Sequence, residues 1–311
     1  MVYTVTLNPA IDYIVKIKNF QKGEINRSLG EEVLPGGKGI NVSIVLKELG
    51  IDSIALGWIS GFIGKEIERR VEEYGIQTDF LNVENSVSRI NIKVVEKGQE
   101  TAINCVGPDV KKEDIERLYG QIKKIGISSK KNGNYWMVLS GSSPKGVDSN
   151  VYEKICEILQ DKDIRIVVDT TGEFLLNTLK YKPFLIKPNK EELEEIFEVK
   201  INGKDEALEY ARKLQEKGAR NVLVTLGGEG AIFVDENKQT YKTNSLNLGK
   251  RVSTVGAGDS VIAGFIAGIE KFDDYKEALS LSMAAGAATA NSMFLAKEEE
   301  INKLYLKEKI L

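Results

Sequence analysis

"IRIVVD", at residues 164–169, is an almost unbroken apolar, β-branched run with no alternation of polar and apolar positions. A strand of that kind is buried on both faces, as happens in parallel sheets sandwiched by helices. Outward from it, "VYTVTL" (2–7), "SIALGWI" (53–59), "YWMVLS" (135–140), "FLIK" (184–187) and "NVLVTL" (221–226) have the same character. Amphipathic stretches lie between them. Val42, Val45, Leu46 and Leu49 fall at i, i+3, i+4 and i+7, which puts them on one helical face; Ile262, Phe265, Ile266 and Ile269 repeat the pattern. Alternating strand and helix predicts an α/β domain, with a mostly parallel central sheet between two helical layers. Ligands then gather at the carboxyl ends of the strands.

Two segments break this rhythm. In "YIVKIKNF" (13–20) and "RINIKVVEKGQETAINCV" (89–106) the period is two: Ile90, Ile92 and Val94 alternate with Asn91 and Lys93. That pattern belongs to a sheet with one wet face. It predicts a small β-sheet lid, formed from about 12–34 and 88–106, on a single domain spanning 1–311. Its uncovered apolar face is a natural surface for a homodimer.

Composition narrows the function. The chain has 311 residues, 42% hydrophobic, with a formal net charge of −3. No basic block is present, so nucleic acid is not an expected partner. "MVYTVTLNPA" lacks a charged segment followed by a long apolar run, so it does not read as a signal peptide. No apolar run reaches the length of a membrane span. A soluble cytoplasmic protein is expected. Cys105 and Cys156 stand alone in sequence and read as reduced, semi-buried thiols, too few for a zinc site. The chain contains no histidine, so any proton it moves near neutral pH must use another group.

Four glycine- or cap-bearing turns carry the chemistry. In "RVSTVGAGDS" (251–260), Gly256, Ala257 and Gly258 run into Asp259 at the start of a helix. Backbone N–H groups there can cradle an anion; equally, the aspartate can simply steady the helix N-terminus. "LPGGKGIN" (34–41) is a second glycine turn feeding a helix. It is not a Walker P-loop, because Lys38 is followed by Gly39 and Glu32 stands where the first glycine belongs. Asn41 at its end can both donate and accept hydrogen bonds. "TLGGEGA" (225–231) reads as a turn into "AIFVDE", with room for a nucleotide. "KPNKEEL" (187–193) has the capping-box spacing, Asn189 with Glu192 three residues on. The same pair puts an amide beside a carboxylate at the sheet edge, where a hydrated Mg²⁺ can be held. Arg27 and Arg89, in or beside the lid, matter only if the ligand carries phosphate.

Together these motifs resemble the ribokinase-like (PfkB) carbohydrate kinases: "GGKGIN" their N-terminal signature, "STVGAGDS" their C-terminal one, "PNKEE" their Asn-x-x-Glu element and "TLGGEGA" their nucleotide loop. Order and spacing fit from about residue 2 to residue 295. The resemblance implies a ribokinase-like three-layer α/β/α fold with a β-sheet lid, ATP and Mg²⁺ as cofactors, and a small sugar phosphate as substrate. "TVTLNPAID" (4–12), "INR" (25–27), "SRINIK" (88–93) and Ser253-Thr254-Val255 before "GAGD" resemble the phosphosugar branch. That implies ATP-dependent phosphorylation of D-fructose 1-phosphate at its 6-hydroxyl, with tagatose 6-phosphate as the second-ranked substrate and, behind both, a non-catalytic sugar-phosphate-binding regulator on the same scaffold.

The implied roles are as follows. Asp259 is the catalytic base, and Gly256, Ala257 and Gly258 form the anion hole. Asp12, Gly37 and Asn41 hold sugar hydroxyls; Lys38, Arg27 and Arg89 meet the phosphate already on the sugar; Asn104 and Ser140 are substrate neighbours. Lys187 lies near the ATP phosphates. Thr225, Gly227, Gly230 and Ser253 border the nucleotide, with Asn291 towards the adenine. Asn189 and Glu192 organise Mg²⁺ through water.

Overall fold

The computed structural model describes residues 1–96, 99–128, 134–246 and 255–308. In chain order the strands are β1 (Val2–Thr6), β2 (Ala10–Ile17), β3 (Ser28–Gly36), β4 (Ser53–Ile59), β5 (Gln77–Asn82), β6 (Arg89–Glu96), β7 (Gln99–Ile103), β8 (Tyr135–Ser140), β9 (Ile164–Asp169), β10 (Leu185–Ile186), β11 (Asn221–Thr225), β12 (Ala231–Val234) and β13 (Thr240–Thr243). The helices are α1 (Lys38–Glu48), α2 (Gly61–Glu73), α3 (Lys112–Ser128), α4 (Val151–Leu159), α5 (Gly172–Leu176), α6 (Lys190–Phe197), α7 (Gly203–Glu216), α8 (Ala257–Phe272), α9 (Tyr275–Asn291) and α10 (Glu298–Glu308).

Nine strands form the main sheet in the order β13-β12-β11-β10-β9-β8-β1-β4-β5. All pairs are parallel except β11–β12 and β12–β13, which form antiparallel hairpins at one edge. The six solid apolar runs are all strands of this sheet, and both faces of their interior are covered. On β8, Trp136 and Val138 pack into one core and Met137 and Leu139 into the other. The first core is closed by α1, α8, α9 and α10, the second by α3 to α7. A third, smaller cluster joins α1 and α2 to Ile11 and Ala55. The fold is ribokinase-like: a mostly parallel central sheet between two helical layers, with a second sheet beside it.

Within the first core, α8 and α9 approach so closely that side chains are excluded. A Cβ on Gly268 would sit 2.4 Å from Ala278 Cα, and one on Gly264 would sit 2.7 Å from Ser282 Cα.

The strand order reverses at β1, which lies between β4 and β8. Crevices open at such switch points, at the strands' carboxyl ends. Over this crevice stands a second sheet of four strands, ordered β3-β2-β6-β7. It is rooted at one register row, where Ala10 lies between Gly36 and Arg89. At the root, Ile11 is buried and Ile90 partly so, both against the α1–α2 cluster. Further out the same face is uncovered: Tyr13, Ile92 and Ile103 are in register across β2, β6 and β7, and all three are exposed.

One expectation needs correcting here. Cys105 and Cys156 do not share one semi-buried environment: Cys105 is exposed and Cys156 buried. Burial pushes the Cys156 thiol up to about 12, so it stays protonated. The edge strand β5 carries none of the patterns that mark the interior strands, since "QTDFLN" is half polar and only partly covered.

Candidate active site

A cleft of about 890 Å³ runs along the carboxyl ends of the main-sheet strands and beneath the second sheet. Two helix N-termini meet in it. Gly37 precedes α1 and Gly256 precedes α8. Gly256 has φ 78°, and a Cβ there would press on Leu295 at 2.5 Å, so both conformation and space call for glycine. The first N–H groups of α8 have no partners within the helix and carry its positive end towards the cleft.

Asp259 lies in the first turn of α8 and is only 5% exposed. Asn41 Nδ2, from the first turn of α1, donates to its Oδ2 at 2.8 Å and ties the two helix starts together. Burial first, and then the neighbouring Asp169 carboxylate, push Asp259 up to about 6, against the opposing pull of Asn41, Lys38 and Lys187. At neutral pH it is an ionised carboxylate in a low-dielectric place, and more basic than an exposed one.

Asp169, at the end of β9, is the second acid of the cleft and is 1% exposed. Lys187 Nζ stands 3.1 Å from one of its oxygens and Lys38 Nζ 3.4 Å from the other. Both contacts are ion pairs rather than aligned hydrogen bonds, so neither oxygen is saturated. Burial alone would raise Asp169, but Lys187 and Lys38 outweigh it and hold it below the usual carboxylate value. Burial lowers Lys38, and the carboxylates of Asp169, Asp259 and Glu192 more than reverse this. Lys187 also lies against α8: a Cβ on Gly258 would come within 3.2 Å of its Nζ. The result is two ammonium groups fixed by one buried carboxylate beside a helix N-terminus, a strong seat for a polyanion.

Also on the cleft wall, Arg89 is half-buried and its Nε donates to Asn8 O at 3.1 Å. Asp12 on β2 receives Asn91 Nδ2 and Lys93 Nζ from β6, at 2.9 and 2.8 Å. The polar face of β6 is therefore turned into the molecule: Asn91 and Lys93 are 7% and 8% exposed. Their alternation with isoleucines marked the face correctly, but that face meets the cleft side rather than open solvent.

The nucleotide-loop motif forms the turn between β11 and β12, and Thr225, Gly227 and Gly230 line the cleft with Asn291 of α9. Asn189 and Glu192 make a complete capping box on α6: Asn189 Oδ1 accepts from Glu192 N at 2.8 Å, and Glu192 Oε2 accepts from Asn189 N at 2.9 Å. Among the described residues no group of three or more acidic, Cys or His side chains is gathered for a bare metal ion. Two polar side chains at the cleft wall, each already committed to one hydrogen bond, together with the unsaturated Asp169, suit a Mg²⁺ that keeps most of its water.

Of the residues singled out from sequence, Asp12, Gly37, Lys38, Asn41, Arg89, Asn104, Ser140, Lys187, Asn189, Glu192, Thr225, Gly227, Gly230, Gly256, Ala257, Gly258, Asp259 and Asn291 all border this one cleft. Arg27 stands apart. It is exposed and precedes β3 at the end of the second sheet far from the root row. Ser253 lies outside the described residues. Sequence missed Asp169, Asn91 and Lys93; the only available signal for Asp169 was an acid at the carboxyl end of a buried strand.

A doubly wound α/β sheet with a buried aspartate at a helix N-terminus, paired cations and a covering sheet defines a small-molecule phosphoryl-transfer scaffold. The chain belongs to the PfkB family of carbohydrate kinases, whose family profile matches residues 5–297. It is 42% identical over 310 residues to a 1-phosphofructokinase of Bacillus subtilis, covering 100% of this chain and 99% of that one. It is 34% identical to a D-tagatose-1-phosphate kinase of Bacillus licheniformis, covering 97% of each. Among solved structures, the tetrameric inhibited form of phosphofructokinase-2 from Escherichia coli matches with a TM-score of 0.89 and 25% identity, over 99% of each chain.

Proposed function

We propose that this protein transfers the γ-phosphoryl group of ATP to the 6-hydroxyl of D-fructose 1-phosphate, giving fructose 1,6-bisphosphate. The observation that carries this is Asp259: a buried carboxylate raised to about 6, at a helix start, in a cleft lined by Lys38, Lys187 and Arg89. The full-length similarity to a 1-phosphofructokinase supports the choice of sugar. The similarity to a D-tagatose-1-phosphate kinase favours a tagatose phosphate as the second reading.

Phosphoryl transfer depends on positioning and charge stabilisation more than on covalent chemistry. Asp259 accepts the proton of the sugar 6-hydroxyl as the bond to phosphorus forms, so no histidine is needed. The N–H groups of Gly256, Ala257 and Gly258 face the charge that builds on the transferring group. Lys187, held by Asp169, lies along the ATP phosphates, and Lys38 and Arg89 take the phosphate already on the sugar. Asp12, Gly37 and Asn41 orient the sugar, with Asn104 and Ser140 beside it. Thr225, Gly227 and Gly230 border the nucleotide, and Asn291 faces the adenine. Asn189 and Glu192 would hold a hydrated Mg²⁺, which when bound neutralises phosphate charge. ATP and sugar phosphates are intracellular metabolites, which supports a cytoplasmic location for the reaction.

An ADP-release assay with purified protein tests the reading. Fructose 1-phosphate should exceed tagatose 6-phosphate and fructose 6-phosphate in kcat/KM by at least about tenfold, the discrimination a single well-placed polar contact gives. A higher kcat/KM for a tagatose phosphate would replace the substrate, and inertness towards all three would remove the kinase activity.

The second sheet also serves as a homodimer surface in this proposal. The row Tyr13, Ile92 and Ile103 is the support, being apolar, in register and exposed. The solved Escherichia coli relative is described as tetrameric. Sedimentation equilibrium is expected to give a dimer at micromolar concentration, and Ile92→Lys to give a monomer. A wild-type monomer with full activity would count against this surface.

A further inference from the structure

Asn91 and Lys93 lie within "SRINIK" on β6, and both fix Asp12, the one acid of β2. Asp12 and Asn91 are register partners on β2 and β6. A carboxylate can only accept, so the Asn91 amide must point its nitrogen at Asp12 Oδ1. That leaves Asn91 Oδ1 turned the other way: it is buried, has no hydrogen-bond partner and belongs to a residue that lines the cleft. Lys93 Nζ holds the other Asp12 oxygen at 2.8 Å from a site 8% exposed. Gly36 closes the third side, since a Cβ there would be 2.7 Å from Asp12 Cγ. Asp12 is thus gripped by two donors and a glycine, and still has spare lone pairs. An unpartnered buried acceptor is costly unless a ligand completes it.

We propose that Asn91 Oδ1 accepts a hydrogen bond from a ring hydroxyl of the sugar phosphate, and that Lys93 is a positioning residue holding Asp12 beside it, so that the pair reads the configuration of neighbouring hydroxyls. This rests on the sugar-phosphate kinase reading above. The chemistry fits a vicinal diol: each hydroxyl brings one proton, and the wall offers acceptors fixed in relative position. It cannot serve a phosphate, which brings only acceptors at this pH. The anionic end of the substrate therefore belongs with Arg89 and Lys38, and the hydroxyls with Asp12 and Asn91.

The test is a cycle between protein and substrate. Wild type, Asn91→Leu, Lys93→Met and Lys93→Arg are assayed on D-fructose 1-phosphate and its 3-deoxy and 4-deoxy analogues, with thermal unfolding to confirm that each variant is folded. Asn91→Leu is expected to lose about 10- to 100-fold in kcat/KM on the parent sugar, mainly through KM, while KM for ATP changes less than about twofold. On one deoxy analogue that loss should vanish, because the hydroxyl that Asn91 accepts from is already gone. Lys93→Met should also raise KM for the sugar, and Lys93→Arg should recover part of it. An Asn91→Leu loss equal on all three sugars, or KM for ATP rising in step, overturns the proposal. The kinase reading is tested separately by the wild type alone. If it prefers another ketose phosphate, the cycle is run with that sugar and its deoxy analogues. A wild type inert to every ketose phosphate overturns both.

Discussion

Replacing Asp259 by Asn is expected to lower kcat by about 10²–10⁴-fold, the usual worth of a positioned general base. KM for ATP should stay within about twofold, because the amide keeps the shape and can still accept from Asn41 Nδ2. A variant retaining half of wild-type kcat would take Asp259 out of the role. The same substitution should make the protein more stable at neutral pH. The folded-state value of about 6 lies above the ordinary 3.8, so the folded protein binds this proton more tightly than the unfolded chain does. Wild type therefore loses stability as pH rises from about 4 to 6, and the loss is complete above that window. The amide never ionises and escapes it. Urea unfolding should show the variant ahead by on the order of 2–3 kcal/mol at pH 7.5, with the gap closing near pH 4. A variant less stable than wild type at pH 7.5 would show that Asp259 is not held against its own desolvation.

Arg89→Ala should cost about 10- to 150-fold in kcat/KM for the phosphosugar, the equivalent of a charge-assisted contact worth roughly 1.5–3 kcal/mol. KM for ATP should hardly move. Feeble activity on unphosphorylated fructose should hardly move either, since that sugar gives Arg89 nothing to bind. Arg89→Lys should recover only part, because an ammonium keeps the charge and loses the planar fork. Arg89 also donates to Asn8 O at the root of the second sheet. If Arg89→Ala depresses both sugars equally, that structural bond is its main role, and Lys38 reads the phosphate.

The interior strands were legible because a strand buried on both faces is a solid apolar run, and β9 and its five fellows all lie in the main sheet. The edge strand β5 was not, since one covered face leaves no such signature. Glycines at turns were legible because close approach and positive φ restrict the choice, as Gly256 illustrates on both counts. Asp169 was hidden for the opposite reason. Nothing local separates it from any aspartate that ends a strand; its importance comes from Lys38 and Lys187, which only the folded sheet brings together. Asn91 and Lys93 were visible as a polar face, but a period of two does not say whether that face meets bulk water or a cleft. Arg27 was singled out by likeness to a family motif, and the path of β3 carries it outward, away from Arg89.

The register row Gly36–Ala10–Arg89 also acts as a mechanical axle. Any rocking of the second sheet turns about its root, so the backbone of Arg89 hardly travels. Lys93, four residues further out, lies about 13 Å along the strand and sweeps a longer arc. On the proposed roles, the phosphate held by Arg89 would sit at the fulcrum, and the hydroxyls taken by Asp12 and Asn91 only about 7 Å along the arm. A small free anion fits the fulcrum alone, so inorganic phosphate should compete with the phosphosugar.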